Sequence, residues 1–121
     1  MDKNFFITTP IYYPSGNPHM GHAYSSIIAD VIARYKRLEG YNVHFLTGTD
    51  EHGLKIQREA EKNKKDTQIF CNEISMKFKE LTKILNLSNN DFIRTTEKRH
   101  HQLVVEIWNR LVSSGDIYLD K

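Results

Sequence analysis

Cysteine is nearly absent. Cys71 is the only one in 121 residues, so neither an internal disulfide nor a cluster of thiolate metal ligands is open to this chain. Its neighbours Ile69, Phe70 and Ile74 make it a buried helix position rather than a reactive thiol. Long apolar runs are missing too; none approaches the ~20 residues that span a bilayer. Charge of one sign is not in excess, with 17 basic residues against 15 acidic and a net charge of +2. That balance gives no argument for nucleic-acid binding by bulk charge. The opening Met1-Asp2-Lys3-Asn4 lacks a signal-peptide pattern, which makes a reducing cytoplasm the default location. Proline is scarce as well, but all three prolines fall between Pro10 and Pro18. No regular element survives that density.

Around these absences stands an ordinary globular composition, 39% hydrophobic and 26% charged, with length for one compact core. Phe5-Phe6-Ile7-Thr8-Thr9 predicts a buried strand. A helix is expected from His19 or Gly21, with Ile27, Ile28, Val31, Ile32, Tyr35 and Leu38 at helical spacing and Gly40 as its stop. Val43 to Thr47 predicts a second strand, Thr49 to Gly53 a turn, and Leu54 onward a more polar helix. Strand, helix and strand in this order predict a parallel βαβ unit. Lys62-Asn63-Lys64-Lys65 reads as a solvated loop. Asp66 or Thr67 then caps a long helix carrying Phe70, Ile74, Phe78, Leu81 and Leu85 on one face. Asp91 to Arg94 suggests a short strand, and Glu97 to Ser113 a helix with Leu103, Ile107 and Leu111 inward. Ser114-Gly115-Asp116 breaks it, and Ile117-Tyr118-Leu119 opens a further, unfinished element.

Ligands of open parallel sheets sit at the carboxyl ends of the strands. Two unusual loops are expected to meet there, Thr9 to His22 and Thr47 to Gly53. His19 and His22 share one face of a first helical turn, where unpaired amides and the positive end of the dipole also point. Such a corner suits a polyphosphate. Gly21 leaves the backbone bare for close approach of a flat group such as a purine. The residues alone leave two other readings open: helix-capping or surface histidines, and a zinc site completed by His52.

The whole pattern is more specific than the pair. Pro14-x-Gly16-x-Pro18-His19-Met20-Gly21-His22 resembles the HIGH signature of the class I aminoacyl-tRNA synthetases. Thr9-Pro10-Ile11-Tyr12-Tyr13-Pro14 and Gly48-Thr49-Asp50-Glu51-His52-Gly53 resemble the methionyl-tRNA synthetases in particular. The leucine, isoleucine and valine enzymes typically carry Trp-Asp at the Thr49-Asp50 position. The resemblance runs from about Phe5 to Tyr118. It implies an α/β fold, the Rossmann-like parallel βαβ half of a class I catalytic domain, followed by helices. It also implies ATP-dependent activation of methionine, with Mg²⁺, and transfer to methionine tRNA. By that resemblance His19 and His22 are the catalytic pair and, with Pro10 and Gly21, bind ATP. Ile11 and Tyr13 contact methionine, and Asp50 holds its α-ammonium group. Tyr12 is expected to pack in the core, and His52 to be structural.

One expected signature, Lys-Met-Ser-Lys-Ser, does not occur in these residues. Zinc, bound by many relatives in an inserted segment, is expected only at or beyond Lys121. Residues 1–121 therefore read as the first half of a Rossmann-type catalytic domain, a fragment inactive alone, with a non-catalytic nucleotide-binding piece as the alternative. Small nucleotidyltransferases also use a His-x-Gly-His corner. Their first loop, however, usually opens with Gly-x-Phe-Asp-Pro rather than Thr-Pro-Ile-Tyr-Tyr-Pro.

Overall fold

The computed structural model describes residues 3–120, so Met1, Asp2 and Lys121 lie outside the described residues. Three parallel strands form one sheet in the order β1 (Asn4–Thr8), β2 (Asn42–Thr49), β3 (Asp91–Arg94). Helix α1 (Met20–Leu38) connects β1 to β2, and α2 (Leu54–Lys62) with α3 (Thr67–Ile84) connects β2 to β3. Helix α4 (Lys98–Ser114) follows β3. The α/β class and the parallel βαβ unit expected from the pattern are present.

Two helices begin at side-chain caps, and two are followed by a glycine in a left-handed conformation. His19 caps α1, and the Asp66 side chain caps α3 by accepting from the amides of Gln68 and Ile69. Gly40 and Gly115 follow α1 and α4 at φ +82° and +81°, a left-handed conformation that favours glycine. The Lys62–Lys65 segment is exposed, with Lys62 paired to Glu59 and Lys65 to Glu73.

Two apolar clusters sit between the sheet and its helices. Ala29 and Ala33 of α1 pack on Val43 and Phe45 of β2, with Phe5, Ile7, Tyr41 and Leu87 at the margin. Tyr12, Ile56, Ala60, Phe70, Cys71, Ile74 and Phe78 form the second cluster, with Phe92 against it. Of the expected α3 face, Phe70, Ile74 and Phe78 are packed in this cluster, while Leu81 and Leu85 are half-buried outside it. Cys71 is buried as expected, and burial raises its thiol pKa above the ordinary value.

Three expectations fail, and the packed face of α1 is not its apolar stripe. In α1 the stripe Ile27, Ile28, Val31, Ile32, Tyr35 and Leu38 is exposed, while Ala23, Ser26, Ala29, Asp30 and Ala33 are buried. Small side chains allow the helix to lie close on the sheet, so the larger residues face away. In α4, Leu103, Ile107 and Leu111 are exposed and the helix buries no residue. β1 is not a buried strand: Phe5 and Ile7 are half-buried, but Phe6 is 62% exposed, stacked on His44 across the strands. The sheet face bearing these two rings has no helix over it. Finally, Thr49 belongs to β2 rather than to the turn, because β3 extends the ladder by pairing Arg94 with Thr49. Residues 117–120 form no regular element.

Candidate active site

The two loops do meet, and backbone hydrogen bonds join them. Tyr12 donates its amide to the Gly48 carbonyl at 3.1 Å, and Asp50 donates its amide to the Tyr12 carbonyl at 2.9 Å. Tyr12 therefore acts as a one-residue strand beside Thr49. Its side chain fixes the next element. The phenol lies 2.9 Å from both Ser25 Oγ and Ser26 Oγ, and 3.3 Å from the His22 carbonyl, to which it can donate. The ring stacks on Phe78 and meets the edge of His22 at a centroid distance of 4.9 Å. Core packing of Tyr12 was expected; its tie to His22 was not legible.

His19 and His22 form a reciprocal cap. His19 Nδ1 accepts from the Gly21 amide, and His22 Nδ1 accepts from the His19 amide, both at 3.1 Å. The rings lie 3.8 Å apart. Both Nδ1 atoms act as acceptors, so the protons of the neutral rings sit on Nε2, leaving two N–H donors for a ligand. The expectation of bare amides at this corner needs correction. The Gly21 amide is already taken, and the imidazoles present the donors. Burial, and then the neighbouring His19 charge, lower the His22 pKa below 6.5. Gly21 has a reason of its own: a Cβ there would stand 3.0 Å from the His19 ring.

A cavity of about 290 Å³ opens beside this pair, lined by Ile11, Tyr12, Tyr13, Ser15, Gly16, Asn17, His19, His22 and Lys55. Lys55 is the residue the sequence hid. In the chain it is an ordinary helix lysine, and only the fold places it on the same cavity as the two imidazoles. Lys77 reaches from α3 to Asn17 Oδ1 at 2.8 Å, tethering the proline-rich loop. Ile11 also lines a second, more apolar cavity of about 280 Å³ with Thr8, Thr9, Leu46, Thr47, Gly48 and Ile93. Pro10, Gly21 and Asp50 line neither cavity. Asp50 is half-buried one hydrogen bond away; its carboxylate takes only a 3.4 Å contact from the His52 amide.

Glu51, given no role in the sequence reading, is the best-bonded group here. Its side chain is 0% exposed and accepts from Arg94 Nε at 2.6 Å and Nη2 at 2.9 Å, from Thr49 Oγ1 and from Thr96 Oγ1. Burial alone would raise its pKa, but Arg94, Thr96 and Thr49 outweigh that and hold it below the usual value. His52 lies by the Thr95 carbonyl and His101. No three His, Cys, Asp or Glu residues group as metal ligands among the described residues, so His19, His22 and His52 do not form the zinc site left open by their types.

Comparison with known proteins decides the family. A profile described as tRNA synthetases class I (M) matches residues 5–121. The chain belongs to that family. It is 56% identical to a methionine–tRNA ligase of Bacillus cereus, over 99% of this chain but 18% of that protein. The methionyl-tRNA synthetase of Mycobacterium tuberculosis, solved bound by methionyl-adenylate, superposes with a TM-score of 0.92. The two are 47% identical over 98% of this chain and 23% of the other. A leucyl-tRNA synthetase of Agrobacterium radiobacter K84, in a ternary complex with tRNA, gives 0.79 at 26% identity over 98% and 16%. The chain thus spans about a fifth of the length of its methionyl relatives. Its sheet and helices have the class I catalytic-domain fold, and its His-x-Gly-His corner is that of a synthetase rather than of a small nucleotidyltransferase.

Proposed function

We propose that this segment is the first half of a Rossmann-type catalytic domain and supplies the ATP and methionine half-site of a methionyl-tRNA synthetase. The observation that carries the reading is Tyr12, which binds the His19–His22 corner and the Asp50 turn into one unit. In the reaction, methionine's carboxylate attacks the α-phosphate of ATP, releasing pyrophosphate. The methionyl group then passes from the adenylate to the terminal ribose of methionine tRNA.

The residues act by position and charge. His19 and His22 donate from Nε2 to phosphate oxygens, where negative charge grows during attack, and Lys55 adds a cation on the same cavity. Pro10 and the uncovered backbone at Gly21 lie under the nucleoside. Ile11 and Tyr13 contact methionine, whose thioether packs well against an aromatic ring. Asp50, with little local bonding to satisfy it, takes the α-ammonium group. Mg²⁺ would arrive with ATP and would help neutralise the phosphate charge beside His19, His22 and Lys55.

Asp50→Ala in the full-length enzyme tests the reading. Methionine affinity, measured calorimetrically, is expected to fall by about 100-fold, because a buried ammonium loses its counter-charge. Unchanged methionine affinity would refute the assignment.

A further inference from the structure

We propose that Glu51, clamped by Arg94, is a positioning residue for methionine. It fixes the turn that carries Asp50 while its own charge is cancelled, so that Asp50 remains the turn's one free carboxylate. This rests on the assignment of Asp50 to the α-ammonium group.

Adjacent carboxylates in this turn have opposite surroundings. Asp50 is half-buried with one long contact from a neighbouring amide. Glu51 is fully enclosed, and each of its oxygens takes one bond from Arg94 and one from a threonine hydroxyl. Its backbone is tied as well, donating to Thr95 Oγ1 at 2.8 Å. The partners come from the end of β2, from β3 and from the segment after β3, so the turn is locked to the sheet from the far side. Tyr12 holds it from the near side through the Asp50 amide. Between those anchors the Asp50 Cα has little freedom. Arg94 is itself held, its Nη2 donating to Asn72 Oδ1 at 2.6 Å.

A purely structural role explains this poorly. Apolar residues of similar volume commonly replace a buried ion pair without loss of stability, and the apolar cluster containing Cys71, whose thiol meets the Glu51 carbonyl, already packs against this turn. What an apolar replacement lacks is directional fixing, which a fully satisfied network provides. Charge cancellation matters for a second reason. An unpaired Glu51 would be a second negative charge at the turn, a counter-ion competing for the ammonium and repelling ATP.

The test uses Glu51→Gln and Arg94→Lys in the full-length enzyme, with methionine-dependent ATP–pyrophosphate exchange as the assay. Each is expected to raise the methionine KM by about 10-fold or more, the scale of a small misplacement. The ATP KM should stay within about twofold, since the His19–His22 corner is untouched. The double variant Glu51→Gln/Arg94→Gln, with no net charge on the pair, should recover part of the methionine KM. A merely structural pair would lower the active fraction and the melting temperature without singling out methionine. Unchanged methionine KM in both single variants, or equal rises for methionine and ATP, would overturn the proposal. If Glu51→Gln does not fold, Arg94→Lys, which keeps the charge but not the fork, decides alone. Asp50→Ala separates the two layers. If it leaves the methionine KM unchanged, the site assignment has failed. If it raises it while Glu51→Gln does not, only the positioning role has failed.

Discussion

Single residues here hold information that the chain order conceals. The sequence made His19, His22 and Asp50 legible because they stand in specific motifs. It could not reveal Lys55 or the Glu51–Arg94 pair, since these are made by α2 and β3 meeting loops distant in the chain. Gly48 is another case. A Cβ there would lie 2.0 Å from the Ile93 carbonyl oxygen, a contact that exists only because β3 pairs with β2. Gly48→Ala should therefore destabilise the fold by about 1–3 kcal/mol or more, measured by chemical denaturation. Lys55→Met in the full-length enzyme should raise the ATP KM with methionine binding unchanged, read from exchange kinetics; equal effects on both substrates would contradict its place at the phosphates. The reciprocal histidine cap predicts a pH effect with a definite sign. The folded-state pKa of His22 is lowered, so the unfolded chain binds more protons. Its stabilisation is present above the unfolded value of about 6.5 and is lost as pH falls through the folded value. The melting temperature should drop between about pH 7 and pH 5, and less so in His22→Gln. Glu51, Asp30 and Asp91, also lowered, act in the more acidic carboxylate range.

At the level of elements, periodicity identified nearly every helix and strand but did not say which face of α1 is buried. Apolar spacing shows that a stripe exists, not which neighbour covers it. In α1 the sheet takes the alanines, because close approach of a helix to strands rewards small side chains. The large residues then form an exposed apolar band, with Val31 at 59%. Ala33, at 0% exposure, should be the intolerant position: Ala33→Leu would push α1 off β2 and cost about 1–3 kcal/mol. Val31→Ser should change stability by no more than about 0.5 kcal/mol. Urea denaturation of both variants checks the contrast; equal losses would mean that the exposed stripe contributes as much as the buried one. α4 repeats the lesson, with a regular apolar spacing and no buried residue. β3 was legible as a strand, yet its capture of Thr49 was not, because ladder length depends on a partner 45 residues away.

For the whole molecule, the sheet face of Phe6 and His44 is exposed, and the site residues Ile11 and Tyr13 are 43% and 56% exposed. Residues 1–121 alone are expected to show little or no methionine-dependent pyrophosphate exchange. His19, His22 and Lys55 would then act in open solvent, where Coulombic interactions are weak. Robust exchange by the isolated polypeptide would show that this half-site suffices. Exposed apolar bands on α1 and α4, together with the free edge of β1, should also make the isolated chain self-associate, visible by sedimentation as a concentration-dependent mass. The single thiol supplies a clock for such work. Cys71 is 2% exposed within the α2–α3 cluster and is held protonated by its surroundings, so an alkylating reagent reaches it only when that cluster opens. Its labelling rate, set against that of the denatured chain, counts openings directly. The chain thus reports its own breathing, without any added probe.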